Sequence, residues 1–374
     1  MLLGFVFCAV SIACSGFFNR VDDGRYPAQR ALVLSVENIF LDPDPLIEGR
    51  VTGQQRLEVE ILTGRHTGSM ARLINIISRD FYHYAEPGME LLVYVQEIDG
   101  QVVRVDVAGH SRGIVLYALV ALFLFTLLAI GRKKGVYSAI SLIITICSIL
   151  FFMLPLILRD YNPILVTVIT ALLITVFNIC LVSDISLKSL SAICGTFIGV
   201  TIAGITSAVA GYFGRISGLN MAHAQEILFF TDGSIAIQGL LTAGIILAAL
   251  GAVIDVGMSI SSAVFEMKSV SPNMSFKELY QSGMNIGGDI MGTMSNTLIL
   301  AFAGSSITVL VTIALHRMPY MRLINFDLLG IEVIQGISAS IGLILTIPIT
   351  AALSSFLTSE NKVTAFLKDR GKFT

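Results

Sequence analysis

The chain has 374 residues, 55% of them hydrophobic and 13% charged, with a formal net charge of -2 and a mean hydropathy of +0.82. This composition excludes a soluble domain of ordinary makeup and predicts a multi-spanning membrane protein. A weakly acidic balance without basic clusters gives no basis for nucleic-acid binding.

Residues 1–18 form an apolar run at the short end of what crosses hydrocarbon, read as an N-terminal anchor or a signal peptide. The basic start of a signal peptide is missing, and Ser11 stands where a lipobox needs a bulky aliphatic residue, so the anchor is the favoured reading. From Asn19 to Arg112 the period becomes two. Leu57, Val59 and Ile61 alternate with Arg56, Glu58 and Glu60, and Val103, Val105 and Val107 alternate with Arg104 and Asp106, as in half-buried strands. Further strands are expected near Ala31–Val36, Ala71–Ile77 and Leu91–Ile98, and Asp99-Gly100 suits a type I′ hairpin turn. About five strands point to a small extracellular β-rich domain, with an OB-like barrel as the candidate fold. The segment lacks the basic face with interleaved aromatics that single-stranded nucleic acid needs.

Residues 113–360 contain seven apolar segments near the ~20 residues that span a bilayer. They run at about Gly113–Ile130, Tyr137–Leu158, Ile164–Val182, Leu190–Phe213, Ile235–Val256, Gly292–Leu315 and Leu328–Leu357, the last with room to bend at Pro348. The expected architecture is an α-helical polytopic membrane protein: seven core transmembrane helices, an N-terminal signal anchor and the external β domain. With that domain outside, inner loops and the cytoplasmic tail at 361–374 hold ten basic residues, Arg132, Lys133, Lys134, Lys188, Lys268, Lys277, Lys362, Lys368, Arg370 and Lys372. Outer loops hold four, Arg159, Arg215, Arg317 and Arg322, which sets this orientation.

Polar residues inside the apolar segments are the candidate site. Asp289, Thr293 and Asn296 fall at i, i+4 and i+7, and Asp255, Ser259 and Ser262 repeat that spacing. A carboxylate at bilayer depth costs about 2.5–3.5 kcal/mol on insertion scales, which makes function the default reading. Gln238 with Thr242, and Glu332 with Gln335, form lesser polar pairs, Glu332 being placed near an external helix end in reach of water. Ser275-Phe276-Lys277-Glu278 fits a capping box, opening a helix toward Gly283, Gly287 and Gly288. That cluster reads as a hinge before Asp289 or as close helix contact; Gly288 with Gly292, and Gly195 with Gly199, form G-x-x-x-G pairs. His223 and Glu226 at i, i+3 make a weak metal pair, better read as a solvated segment, and His316 reads as a helix-end residue. All five cysteines sit in apolar runs without metal or redox spacing.

The runs IGGDIMGTMSNTLILAFAGSS, LAALGAVIDVGMSISSA and SIGLILTIPITAAL resemble signature stretches of the YibE/F family of bacterial membrane proteins. The likeness extends over nearly the whole chain, although Gly288 stands where the family commonly has a basic residue. It implies the architecture and a bacterial cytoplasmic membrane, and no activity. The first functional reading is therefore a transporter or permease that moves an ion or small polar solute using Asp255 and Asp289. Desolvation disfavours a charged carboxyl, so proton coupling is chemically open to either acid. A second reading is a scaffold or accessory subunit whose external domain binds a protein or envelope partner, with oligomers open to both. A remote third is an intramembrane aspartyl protease, against which stand Ile286 in place of the first glycine of G-x-G-D and Ile254 before the other acid. No metal, cofactor or other catalytic motif is called for.

Overall fold

The computed structural model describes residues 28–98, 101–183 and 185–359; the N-terminal run, Asp99-Gly100 and the C-terminal tail lie outside the described residues. The chain divides into two compact units, Phe18–Ala129 and, from Ile130 on, a helical unit.

In the first unit, β1 (Ala28–Pro43), β2 (Val51–Ile61), β3 (Met70–Ile77), β4 (Glu90–Ile98) and β5 (Gln101–His110) form one antiparallel sheet in the order β3-β2-β1-β4-β5. β1 serves both halves: Ala28–Leu32 pair with β4, while Ala31–Pro43 pair with β2 across register shifts after Val33 and Asn38. Such bulges bend a strand and raise its twist, which curls the sheet into a near-barrel. The expected alternation holds in β2, where Leu57, Val59 and Ile61 are fully buried with Val33, Leu91, Val93 and Val95. In β5 it breaks. Glu97 pairs with Val102 but Gln96 with Arg104, so Val103 is the extra residue of a bulge and turns outward, 60% exposed, while Val105 stays inside. β4 and β5 pair up to Ile98–Gln101, leaving only the Asp99-Gly100 connection between them.

Two polar devices fasten the loop after β3. Gln55, fully buried, donates to Asn38 and to the Ala85 carbonyl, while its own carbonyl accepts from Asn75 and the Ala85 N–H. Each partner satisfies a group that would otherwise be buried unpaired. Asp44, its side chain 1% exposed, accepts from Arg79 at 2.7 and 3.0 Å and from the Leu46 N–H at 2.8 Å. The Arg79 hydrogen bond, then the Leu46 N–H, hold its carboxyl down at about 2, below an ordinary value of 3.8. Because the folded state lowers this pKa, the interaction stabilises the sheet fully above the unfolded value and is lost as pH falls through the folded one. Thermal melts of the full chain are expected to show an acid-labile component between pH 4 and about 2 that Asp44→Asn removes. Parallel melting curves for wild type and variant across that window would count against it.

Helix α1 (Gly113–Ser148) passes into a π segment (Ile149–Met153) and a short α2 (Leu154–Ile157). Then come α3 (Pro163–Val182), α4 (Leu187–Phe213), α5 (Ala224–Phe230), α6 (Ile237–Val270), α7 (Phe276–Ser305), α8 (Ile307–Leu315), α9 (Tyr320–Leu323) and α10 (Asp327–Ser359). Local signals set the boundaries. Asn162 accepts from the Ile164 and Leu165 N–H groups with Pro163 next to it, and Ser275 and Glu278 form the capping box read from the sequence.

Among the described residues, five helices are long and apolar enough to cross a membrane, or six with α7 and α8 taken as one span bent by 62°. That is fewer than the seven expected. The first two segments form a single 45-residue stretch, Gly113–Ile157, within which Arg132 alone leaves helical backbone angles at φ 48° and ψ -126°. The seventh expected segment remains one helix through Pro348.

In the second unit α6 and α10 pack on each other and each packs on both α4 and α7, with α3 against α4 and α6. Glycines let the backbones approach. A side chain on Gly342 would stand 2.6 Å from the Gly199 carbonyl oxygen and from the Ala203 Cβ, and Gly195 and Gly199 receive the hydroxyls of Thr350 and Thr346. Buried serines join three helices: Ser191 and Ser261 share a hydrogen bond of 2.7 Å, and Ser354 donates to Ser191 at 3.0 Å. This is how bundles cohere where lipid tails are as apolar as leucine.

Candidate membrane-embedded polar site

α6 and α7 run antiparallel. Val264 lies against the Gly283 position at 3.0 Å, and Ile260 against that of Gly287 at 3.4 Å. Carrying this register along the helices sets Asp255 level with Gly292 and Asp289 level with Met258, a difference in height of about 4–5 Å at the helical rise. The two acids therefore stand at nearly the same depth on neighbouring helices.

Both face away from the bundle. On α6 the buried positions include Val253, Val256, Gly257 and Ile260, and the opposite stripe of Gly244, Ala248, Gly251, Asp255 and Ser259 is exposed. On α7 Leu279, Gly283, Gly287 and Leu298 are buried, while Gly288, Asp289, Gly292, Thr293 and Asn296 are exposed. Asp255, Asp289 and Asn296 make no hydrogen bond or ion pair to the described residues; the Thr293 hydroxyl returns to its own helix, donating to the Ile290 carbonyl at 2.9 Å. Thr293 thus follows the ordinary habit of helical threonines.

Gly287, Gly288 and Gly292 of α7 divide. Gly287 is a contact residue, its Cβ position occupied by Ile347, whereas nothing comes within 4 Å of the positions at Gly288 and Gly292. The hinge expectation gives way to an unbroken helix through the cluster, because Gly283 and Gly287 are used for close approach to α6 and α10 rather than for unwinding. The break falls instead at Ser306, between α7 and α8.

The remaining candidates lie elsewhere. Gln238 sits over Gly211 of α4, with its amide nitrogen 3.1 Å from that glycine's Cβ position, 17 residues along α6 from Asp255. Glu332 is on α10 beside the α7–α8 break, and its Oε2 is buried without a partner. His223 meets Glu226 at 2.9 Å on an exposed segment, and no group of three or more metal-ligating side chains occurs among the described residues. His316 lies at the end of α8, its Nδ1 2.7 Å from the Thr312 carbonyl. Sequence reading missed the pocket around Glu332, because the Gly304-Ser305-Ser306 run at the α7–α8 bend lies inside a stretch read as one continuous apolar segment.

Helices of membrane-crossing length and an N-terminal antiparallel near-barrel sheet together point to a membrane protein of α-helical class. The family model described as YibE/F-like protein matches residues 119–360, more than half of the chain, and the chain belongs to that family. No curated protein and no solved structure matches it.

Proposed function

We propose that the protein is a permease that moves an ion or small polar solute along the face carrying Asp255 and Asp289. One observation carries this reading: two acids from adjacent packed helices stand at nearly one depth, turned outward, with no partner in the described protein. Ionisable groups in membrane spans border water-filled paths or pair with one another. Since neither acid is paired among the described residues, water or a further membrane subunit completes that face in this reading. Asp255 and Asp289 are the ion- or proton-binding groups, and Ser259, Thr293 and Asn296 offer neutral hydroxyl and amide groups beside them. Gln238 and Glu332 take no part in this path.

In this reading the sheet lies outside a bacterial cytoplasmic membrane and the C-terminus inside. Proton and monovalent-cation flux into proteoliposomes, compared between wild type and asparagine variants at both positions, tests the proposal.

A second reading, an accessory subunit with an external binding domain, has its own support. The opening between β3 and β5 holds a groove of about 700 Å³ lined by Arg56, Arg72, Arg104, Ile74 and Val103, and both strands are sheet edges. Edges of this kind accept added strands.

A further inference from the structure

The near-barrel stays open along the seam between β3 and β5, since each of these strands pairs only with its inner neighbour among the described residues. Half of the N–H and C=O groups on each strand therefore point to the open side without a ladder partner. Two hollows of about 700 and 490 Å³ share Ile74, Ile76 and Asp106, so the groove runs along the seam. Its floor includes Leu73 and Val105, both buried in the core of the sheet, and Arg56, Arg72 and Arg104 stand over it. Each guanidinium is engaged through a single nitrogen: Arg56 through Nη1 to Glu37, Arg72 through Nε to Glu58, and Arg104 through Nε to Asp106. Each thus keeps a two-nitrogen fork for a further anion. The three acids have side chains at least 42% exposed, and ion pairs so open to water are worth little, so an incoming carboxylate shares or displaces them at small cost.

We infer that this seam takes up an extended peptide strand in which acidic and apolar side chains alternate, an inference that rests on the accessory reading above and gives its partner a chemistry. Successive side chains of a strand point to opposite faces. Such a segment lays its apolar residues over Leu73 and Val105 and turns its carboxylates outward to the three forks, while its main chain bonds to the open edge of β3. The 8 residues of β3 set the length of the segment, about seven residues at the spacing of paired strands. Charge selects among occupants. The charged residues lining the groove are three arginines and Asp106, which disfavours a basic segment and leaves the forks unused by a neutral one. A second copy joined through the same edge would set arginine-rimmed strands against each other, like charge against like. A bilayer surface is too flat to reach Leu73 and Val105 at the floor.

The experiment titrates the full-length protein, held in phosphatidylcholine nanodiscs, with a peptide of that length in which valine and glutamate strictly alternate, labelled with fluorescein at its N-terminus and amidated at its C-terminus. Anisotropy is expected to show saturable one-site binding, weakened roughly tenfold or more when glutamine replaces every glutamate of the peptide. The double variant Arg72→Gln, Arg104→Gln is expected to weaken the glutamate peptide to a similar degree; both side chains are more than two-thirds exposed, so the core is untouched. Methylating alternate backbone nitrogens along one edge of the peptide is expected to abolish binding, and methylating the other edge to be tolerated, a difference that simple attraction between charges would not produce. No saturable binding to wild type, equal binding of the glutamine peptide, or equal effects of the two methylation patterns overturns the inference, and these arms leave the protein itself unaltered. Displacement of the peptide by short-chain phosphatidylglycerol below its micellar concentration would give the forks to lipid headgroups and overturn it as well. Failure here strikes the peptide alone, whereas the accessory reading falls if residues 28–110 can be deleted without loss of function in cells.

Discussion

Asp255→Asn and Asp289→Asn each lower proteoliposome flux by roughly an order of magnitude or more while leaving the thermal unfolding midpoint close to that of wild type, a difference of at least ~1.4 kcal/mol in the barrier to movement. The two halves of this expected result come from the same geometry. Neither carboxylate receives a hydrogen bond or faces a cation in the described protein, so replacing it with a neutral amide of equal size breaks no internal contact. What it removes is the group that a passing cation or proton would meet. The double variant is expected to be no worse than the weaker single variant, because two stations at nearly one depth act on a common path. Full flux in both single variants would end the permease reading. If deletion of residues 28–110 abolishes function in cells while purified full-length protein shows no flux for any ion tried, the accessory reading takes its place.

Gly342→Val is expected to destabilise the helical unit by more than about 3 kcal/mol, beyond the usual 1–3 kcal/mol range for overfilled cores. A single methyl at this position already meets the Gly199 carbonyl oxygen and Ala203 at 2.6 Å, and the first of these is backbone, with no rotamer to yield. Relief requires α4 and α10 to separate, and they hold the largest shared seam in the bundle, including Val200, Ala203, Ala339 and Leu343. Gly292→Ala provides the contrast. Nothing stands within 4 Å of its Cβ position, and alanine is the better helix former by about 1 kcal/mol, so the variant should melt no lower than wild type. Unfolding curves of the three proteins in one detergent decide the matter. Equal midpoints for Gly342→Val and wild type would show that the crossing is looser than described.

Spacing alone placed Asp289, Thr293 and Asn296 on one helix face, and the face is real: all three are exposed together on α7. It did not reveal which way that face points. α7 and α8 together are apolar enough to cross a membrane, so periodicity defines the stripe and only neighbouring helices define inside. The same gap explains why Gly288 and Gly292 read as a contact pair when Gly287, one position away, is the residue in contact. In the sheet, strict alternation located Leu57, Val59 and Ile61 correctly, then failed at Val103, where one extra residue reverses the phase. Capping chemistry was the most direct signal, since Ser275 and Glu278 act within four residues and depend on no distant contact.

The double engagement of β1 governs the order in which the N-terminal unit can be completed during synthesis. Its first residues, Ala28–Leu32, remain an open edge until β4 arrives some sixty residues later, although the rest of the strand already has β2 beside it. A nascent chain that has made only the first three strands therefore carries a half-zipped ribbon prone to join with another copy. Sequence separation of this size slows closure, so the interval before Glu90 emerges is when a ribosome-side or translocon-side chaperone has most to shield.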